Sequence, residues 1–200
     1  GTQPPCSTCN TSPRLPTLGN HLAMRYRLVA TSFGGVGCTS TIRGAVRHTL
    51  QTDLPTQMGG GDSAAQPIEA LLASLLGCKV ATAHYVARHL WARPHNRFES
   101  IEFADVEAVR DPRGCHQRHR LNQPPGALHL PITEPPPSPP GLTRVSGVAR
   151  VHLPAGSPLT ADDVAVLGRV VEQRCPIAAM LAAAGVEMDM EWVPGGAAPL

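Results

Sequence analysis

Aromatic residues are scarce in this chain: three Phe, two Trp and two Tyr among 200 residues. Stacking platforms for single-stranded nucleic acid need such rings, so that class of function is not expected. The core must come from Leu, Val, Ala and Ile, within a hydrophobic content of 42% that suffices for a sizeable globular domain. A dominant charge is lacking as well. The 17 Lys and Arg residues against 15 Asp and Glu leave a net charge of +2, too little for a nonspecific polyanion binder. Long apolar runs are also missing. The longest uncharged one around the most hydrophobic segment is "ALLASLLGC", Ala70 to Cys78, short of the roughly 20 residues that span a bilayer. Neither nucleic acid nor a membrane is expected as a partner. Six cysteines are too sparse for a secreted disulfide scaffold and point to a reducing compartment, the cytoplasm. An organelle is the other reading, should the Ser/Thr-containing N-terminus be the remnant of a targeting peptide.

What is present is a clear order of segments. Residues 1–22, rich in Pro, Ser and Thr, read as a disordered lead. "MRYRLVATS" alternates as a half-buried strand does, "FGGVGC" punctuates it, and "TSTIRGAVRHTLQTD" reads as further strands. After the loop "LPTQMGGGDSAAQP" a helix starts with Pro67 near its first turn and runs towards Pro94. Its apolar residues occupy most of the circumference, which predicts a central, buried helix. "FESIEFADVEAVRD" and "GLTRVSGVARVHLP" read as strands flanking a proline-rich surface excursion at about 111–143. Thr160 and Asp163 open another helix that stops at "RCP", Pro176 starts a short one, and "VEMDMEW" closes the domain as a strand.

Two cysteines fall at contrasting places. Cys175 precedes the short helix beside Arg174, where helix-terminal N–H groups favour the thiolate. Cys78 lies in the middle of the leucine-rich helix, where desolvation should raise its pKa unless a cation or a hydrogen bond compensates. Helical spacing puts Ser74 and Thr82 on its face. From the residues alone, Cys78 is either a small core hydrophobe or a reactive thiol.

The segments "LPTQMGGGDSAAQPIEALLASLLGC" and "VVEQRCPIAAML", in that order, resemble the family of osmotically inducible protein C and organic hydroperoxide resistance proteins. The resemblance covers about residues 24–194. It implies an α+β fold in which antiparallel sheets wrap two central helices of an intertwined homodimer, with active sites at the subunit interface. It also implies a thiol peroxidase that needs no cofactor. Cys78 would attack an organic hydroperoxide and become a sulfenic acid, Cys175 would resolve it as a disulfide, and a dithiol would reduce that disulfide. The family further uses an arginine to hold the thiolate, for which Arg47 and Arg43 are candidates, and a glutamate that orients the arginine. That glutamate directly follows the loop proline, whereas here Ile68 does and Glu69 is one residue later. "VRHTLQTDLP" looks more like less characterised branches of the family, and places His48 near the site.

Two rival functions follow from the same residues. One is a non-catalytic protein of this fold that binds a small apolar ligand in an interfacial pocket. The other is zinc binding through Cys6 and Cys9 with Cys115, His116 and His119, whose local spacings suit the metal.

Overall fold

The computed structural model describes residues 26–33, 35–42, 46–111 and 139–196. The lead, most of the proline-rich excursion, Arg43 and the five zinc candidates lie outside them. The chain divides into two compact units, one ending at Ala65 and the other beginning at Gln66.

The first unit is a three-stranded antiparallel meander of β1 (Leu28–Phe33), β2 (Gly37–Ile42) and β3 (His48–Thr52). Leu28 pairs with Ile42 and Ile42 with His48, while Ala30, Ser40 and Leu50 stand opposite one another. Because side chains alternate along a strand, Leu28, Ala30, Cys38, Ile42 and Leu50 share one face. The other face carries Thr31, Thr39, Thr41, Thr49 and Gln51, with Val29 and Phe33 among them. A loop after β3 is closed by Asp53, whose carboxylate accepts from the backbone N–H groups of Leu54, Gly61 and Ser63 and from the Ser63 hydroxyl. Within it Gly60 approaches the Leu54 carbonyl so closely that a Cβ would stand 1.8 Å from that oxygen, so no other residue fits there.

The second unit begins with α1 (Pro67–Leu90) and continues with β4 (Ser100–Arg110) and β5 (Leu142–His152). It ends with α2 (Ala161–Arg174), α3 (Pro176–Ala183) and β6 (Glu187–Pro194). The helix α1 stops at Leu90, a turn before Pro94, where Trp91 takes an extended conformation. The strands form one sheet in the order β4–β5–β6, antiparallel between β4 and β5 but parallel between β5 and β6. That second pairing departs from the expected all-antiparallel sheets. A parallel neighbour requires a long crossover, and α2 and α3 supply it. The flanks of the proline-rich excursion are held together, since the Asp111 N–H donates to the Gly141 carbonyl at 3.1 Å.

Leu167, Val164, Val171, Ala83, Ala149 and Val151 are buried in the larger of two core clusters, where α1 and α2 meet the sheet. The smaller cluster, around Leu75, Val145, Cys175, Ala178 and Val186, is where the cysteines lie. By length and composition α1 could also cross a bilayer. Here it packs against α2 and α3 as the spine of the unit.

Candidate active site

Pro67 opens α1 at a position whose missing N–H does no harm, and Glu69 completes the start by accepting from the Gln66 backbone N–H at 2.8 Å. From there the helix buries a stripe of Leu75, Lys79, Ala83, Val86 and Ala87. Seven-residue steps put Leu71, Cys78 and Tyr85 on a neighbouring stripe, and there Leu71 and Tyr85 are exposed. Cys78 therefore sits at the border of the buried face and is half-buried. Ser74 and Thr82 bond back to the carbonyls of Ala70 and Cys78, so neither hydroxyl is directed to the thiol as a donor.

The second cysteine is placed by the break between α2 and α3. Thr160 and Asp163 cap the start of α2 reciprocally, as their spacing implies, with the Thr160 N–H donating to Asp163 at 2.8 Å and the Asp163 N–H donating to Thr160 at 3.3 Å. Pro176 ends the helix. Cys175 closes α2 by donating its N–H to the Val171 carbonyl and opens α3 by accepting from the Ala179 N–H. Pinned on both sides, its side chain points into the smaller cluster and is fully buried.

The fold thus brings Cys78 and Cys175 together as free thiols in one apolar cluster with Leu72, Leu75, Val145 and Ala178. Their burial is the reverse of what the sequence implies. Burial pushes the Cys175 thiol up, and the N–H groups of Ala178 and Ile177 oppose this without overcoming it, while the neighbouring Cys78 thiol raises it further. The Arg174 side chain stands exposed on the surface. Of the two, Cys78 is the more accessible residue and Cys175 the protected one.

Beside the cluster lies an apolar cavity of about 410 Å³ lined by Ile68, Leu71, Leu142, Leu181 and Val186, the last three of which also belong to the cysteine cluster. Its volume falls in the range of small-molecule sites. A second cavity, at the C-terminal end of α1, is polar, lined by Arg88, His89, Arg93 and Arg97, and holds no nucleophile.

The remaining candidates are placed differently. Arg47 is exposed just before β3, in the first unit, and His48 is exposed on β3 itself. Glu69 is nine residues from Cys78, which on a regular helix is half a turn around and about 13.5 Å along the axis. Its carboxylate serves the helix N-terminus, so the one-residue offset from the family position has a structural consequence. Among the described residues no cluster of His, Cys, Asp and Glu could hold a metal ion.

One pairing escaped the sequence reading. Lys79, fully buried next to Cys78, is ion-paired with Glu172 on α2, and the same carboxylate oxygen accepts from Trp192 Nε1 at 3.1 Å. A lysine within the apolar stripe of a helix was the available signal, since such a charge needs a partner.

No family model and no curated protein matches the sequence. Solved structures do. The chain is similar to an OsmC-like protein from Mycoplasma pneumoniae at 18% identity and a TM-score of 0.55, over 84% of this chain and 95% of that one. An OsmC-like protein of unknown function from Vibrio cholerae aligns at 13% identity and a TM-score of 0.58, over 84% and 99% of the two chains. The organic hydroperoxide resistance protein OhrB of Bacillus subtilis aligns at 14% identity and a TM-score of 0.51, over 84% and 97%.

Proposed function

From the OsmC-like fold as premise, we propose that the chain is a thiol-dependent peroxidase of the osmotically inducible protein C and organic hydroperoxide resistance family. The observation that carries the reading is the meeting of two free thiols, one half-buried and one fully buried, in one apolar cluster.

The chemistry is a two-step, two-electron oxidation. The Cys78 sulfur attacks the terminal oxygen of a hydroperoxide, the O–O bond breaks, and the leaving alkoxide takes the thiol proton to become an alcohol. Cys78 is then a sulfenic acid. The Cys175 sulfur attacks the Cys78 sulfur, the S–O bond breaks, and hydroxide leaves with the Cys175 proton as water. A dithiol returns the resulting disulfide to two thiols. Apolar walls favour organic hydroperoxides over hydrogen peroxide, by about 0.8 kcal/mol for each methylene buried. For the arginine that the family uses, Arg47 and Arg43 are the candidates, while Glu69 enters only as the cap of α1. Three free thiols among the described residues suit a reducing compartment, the cytoplasm.

A homodimer completes the reading. Leu28, Ile42 and Leu50, on one face of the first sheet, are 57%, 37% and 44% exposed within one chain, and Leu71 and Tyr85, on either side of Cys78 along α1, are exposed too. A second copy would cover apolar surface of this kind, and one seated on the α1 stripe would place Cys78 at the interface.

The test is peroxide consumption with a dithiol reductant. Cys78→Ser should abolish turnover, whereas Cys175→Ser should react once and then drift to sulfinic acid. Mass spectrometry of treated protein should find a Cys78–Cys175 disulfide. Full turnover by Cys78→Ser, or a disulfide between other cysteines, would leave the apolar cavity as the feature to explain and favour the non-catalytic binding protein.

A further inference from the structure

Of the chain's 17 lysines and arginines, only Lys79 is a lysine. It is also fully buried, and it follows Cys78 directly. Its partner Glu172 precedes Cys175 by three residues on α2, so the ion pair joins the two stretches of chain that carry the two sulfurs. Glu172 is held from a third side by Trp192 on β6. Trp192 in turn lies so close over Gly168 of α2 that a Cβ there would be 2.2 Å from the indole Cγ. The surroundings of such a slot are tight. A compact ammonium on a flexible stem needs less room beside Glu172 than a planar guanidinium.

We infer that Lys79 is a positioning residue, fixing Cys78 against Cys175 through Glu172 so that disulfide closure outruns further oxidation; this rests on the peroxidase reading. Stability alone is a poor reason for the pair, because buried ion pairs are often matched by apolar residues of similar volume. Geometry is a better one. The other contacts around the thiols are Leu75, Val145, Ala178 and Val186, apolar surfaces with no directional bond to set how α1 lies against the α2–α3 junction. A charged hydrogen bond supplies that direction. The demand is strict, since the Cys175 sulfur must approach opposite the departing oxygen of the Cys78 sulfenic acid. Any delay lets a second hydroperoxide oxidise Cys78 to sulfinic acid.

The experiment uses the full chain with cumene hydroperoxide as oxidant, and follows sulfenic acid, disulfide and sulfinic acid at Cys78 by quenched-flow mass spectrometry. In Lys79→Met, closure should slow by about ten- to a hundredfold, the scale of an ångström-sized misplacement, and sulfinic acid should accumulate. Lys79→Met leaves Glu172 buried without its partner and can fail to fold. Lys79→Met combined with Glu172→Leu removes both charges, so its melting temperature should stay near that of the wild type while closure remains slow. A merely structural pair would show the opposite, a fall in melting temperature with no change in the ratio of disulfide to sulfinic acid. Wild-type closure in a folded variant overturns this inference alone. A wild type whose Cys78 takes no oxygen from the hydroperoxide overturns the peroxidase reading and this inference with it.

Discussion

The two sheets of this chain share the same alternation of apolar and polar residues and differ in what lies over them. On the sheet of the second unit, Val145, Ala149 and Val151 are fully buried, with Leu167 and Val164 of α2 packed in the same core as the last two. On the sheet of the first unit, Leu28, Ile42 and Leu50 remain exposed, and they share their face with Ser32, Ser40, His48 and Thr52. Three strands are near the minimum for independent stability and need a hydrophobic face to reach it, so the exposed Leu28, Ile42 and Leu50 are the residues that cover would serve. The difference teaches that pattern specifies which face needs cover but not what supplies it.

Substitutions can break that contrast from either side. Leu167→Ala, in the closed core, should cost about 2–5 kcal/mol, read from the shift of the urea unfolding midpoint. A cost below that range would mean the core relaxes around the gap. Gly168→Ala probes the same region by overfilling it, because its Cβ would collide with Trp192. About 1–3 kcal/mol is expected, measured in the same way. Leu50→Ser should behave unlike both. With the proposed second copy over the sheet, it should weaken self-association by about tenfold in sedimentation equilibrium, as losing a buried leucine contact implies, and leave the unfolding of the second unit unchanged. Unaltered association would show that this face is not the dimer surface.

How much could be read beforehand follows the same division. Elements with a strong period and local punctuation were legible: α1 from its leucines and Pro67, and the α2–α3 break from Thr160, Asp163 and Pro176. The motifs around Cys78 and Cys175 are 97 residues apart in the sequence, and the fold packs the two cysteines in one cluster. The relative burial of those thiols was not legible, because helix-end effects at Cys175 are local while its desolvation depends on Leu75, Val145 and Val186 arriving from other elements. The parallel placement of β6 was hidden for a similar reason, since a strand's own pattern does not say beside which neighbour it lies. Lys79 stood in plain view, but its partner is 93 residues away. Asp53 belongs to the segment "VRHTLQTDLP", but its role in closing the loop was not legible, as an aspartate before a glycine-rich loop reads as ordinary turn chemistry.

Asp53 gives the smallest expected effect, and it concerns a loop of the first unit whose polar groups are well satisfied. The Ser63 hydroxyl, then the Leu54 and Ser63 N–H groups, hold its carboxyl down at about 2 against an ordinary 3.8; burial opposes them, and the Gly61 N–H adds to the lowering. A carboxylate whose pKa is lower folded than unfolded stabilises the folded loop fully above the unfolded value. That contribution shrinks as pH falls from the unfolded value through the folded one, because the unfolded form then binds the proton more readily. Amide exchange at Gly61 and Ser63, corrected for the intrinsic pH dependence, should therefore lose protection between about pH 4 and 2, while β5 amides in the closed sheet hold theirs. Asp53→Asn, which cannot ionise, should start with weaker protection at those two amides and lose the pH dependence. Constant protection at Ser63 across that range in the wild type would mean that the loop is held by its backbone turns, with Gly60 against Leu54, and that the carboxylate contributes no more than a replaceable acceptor.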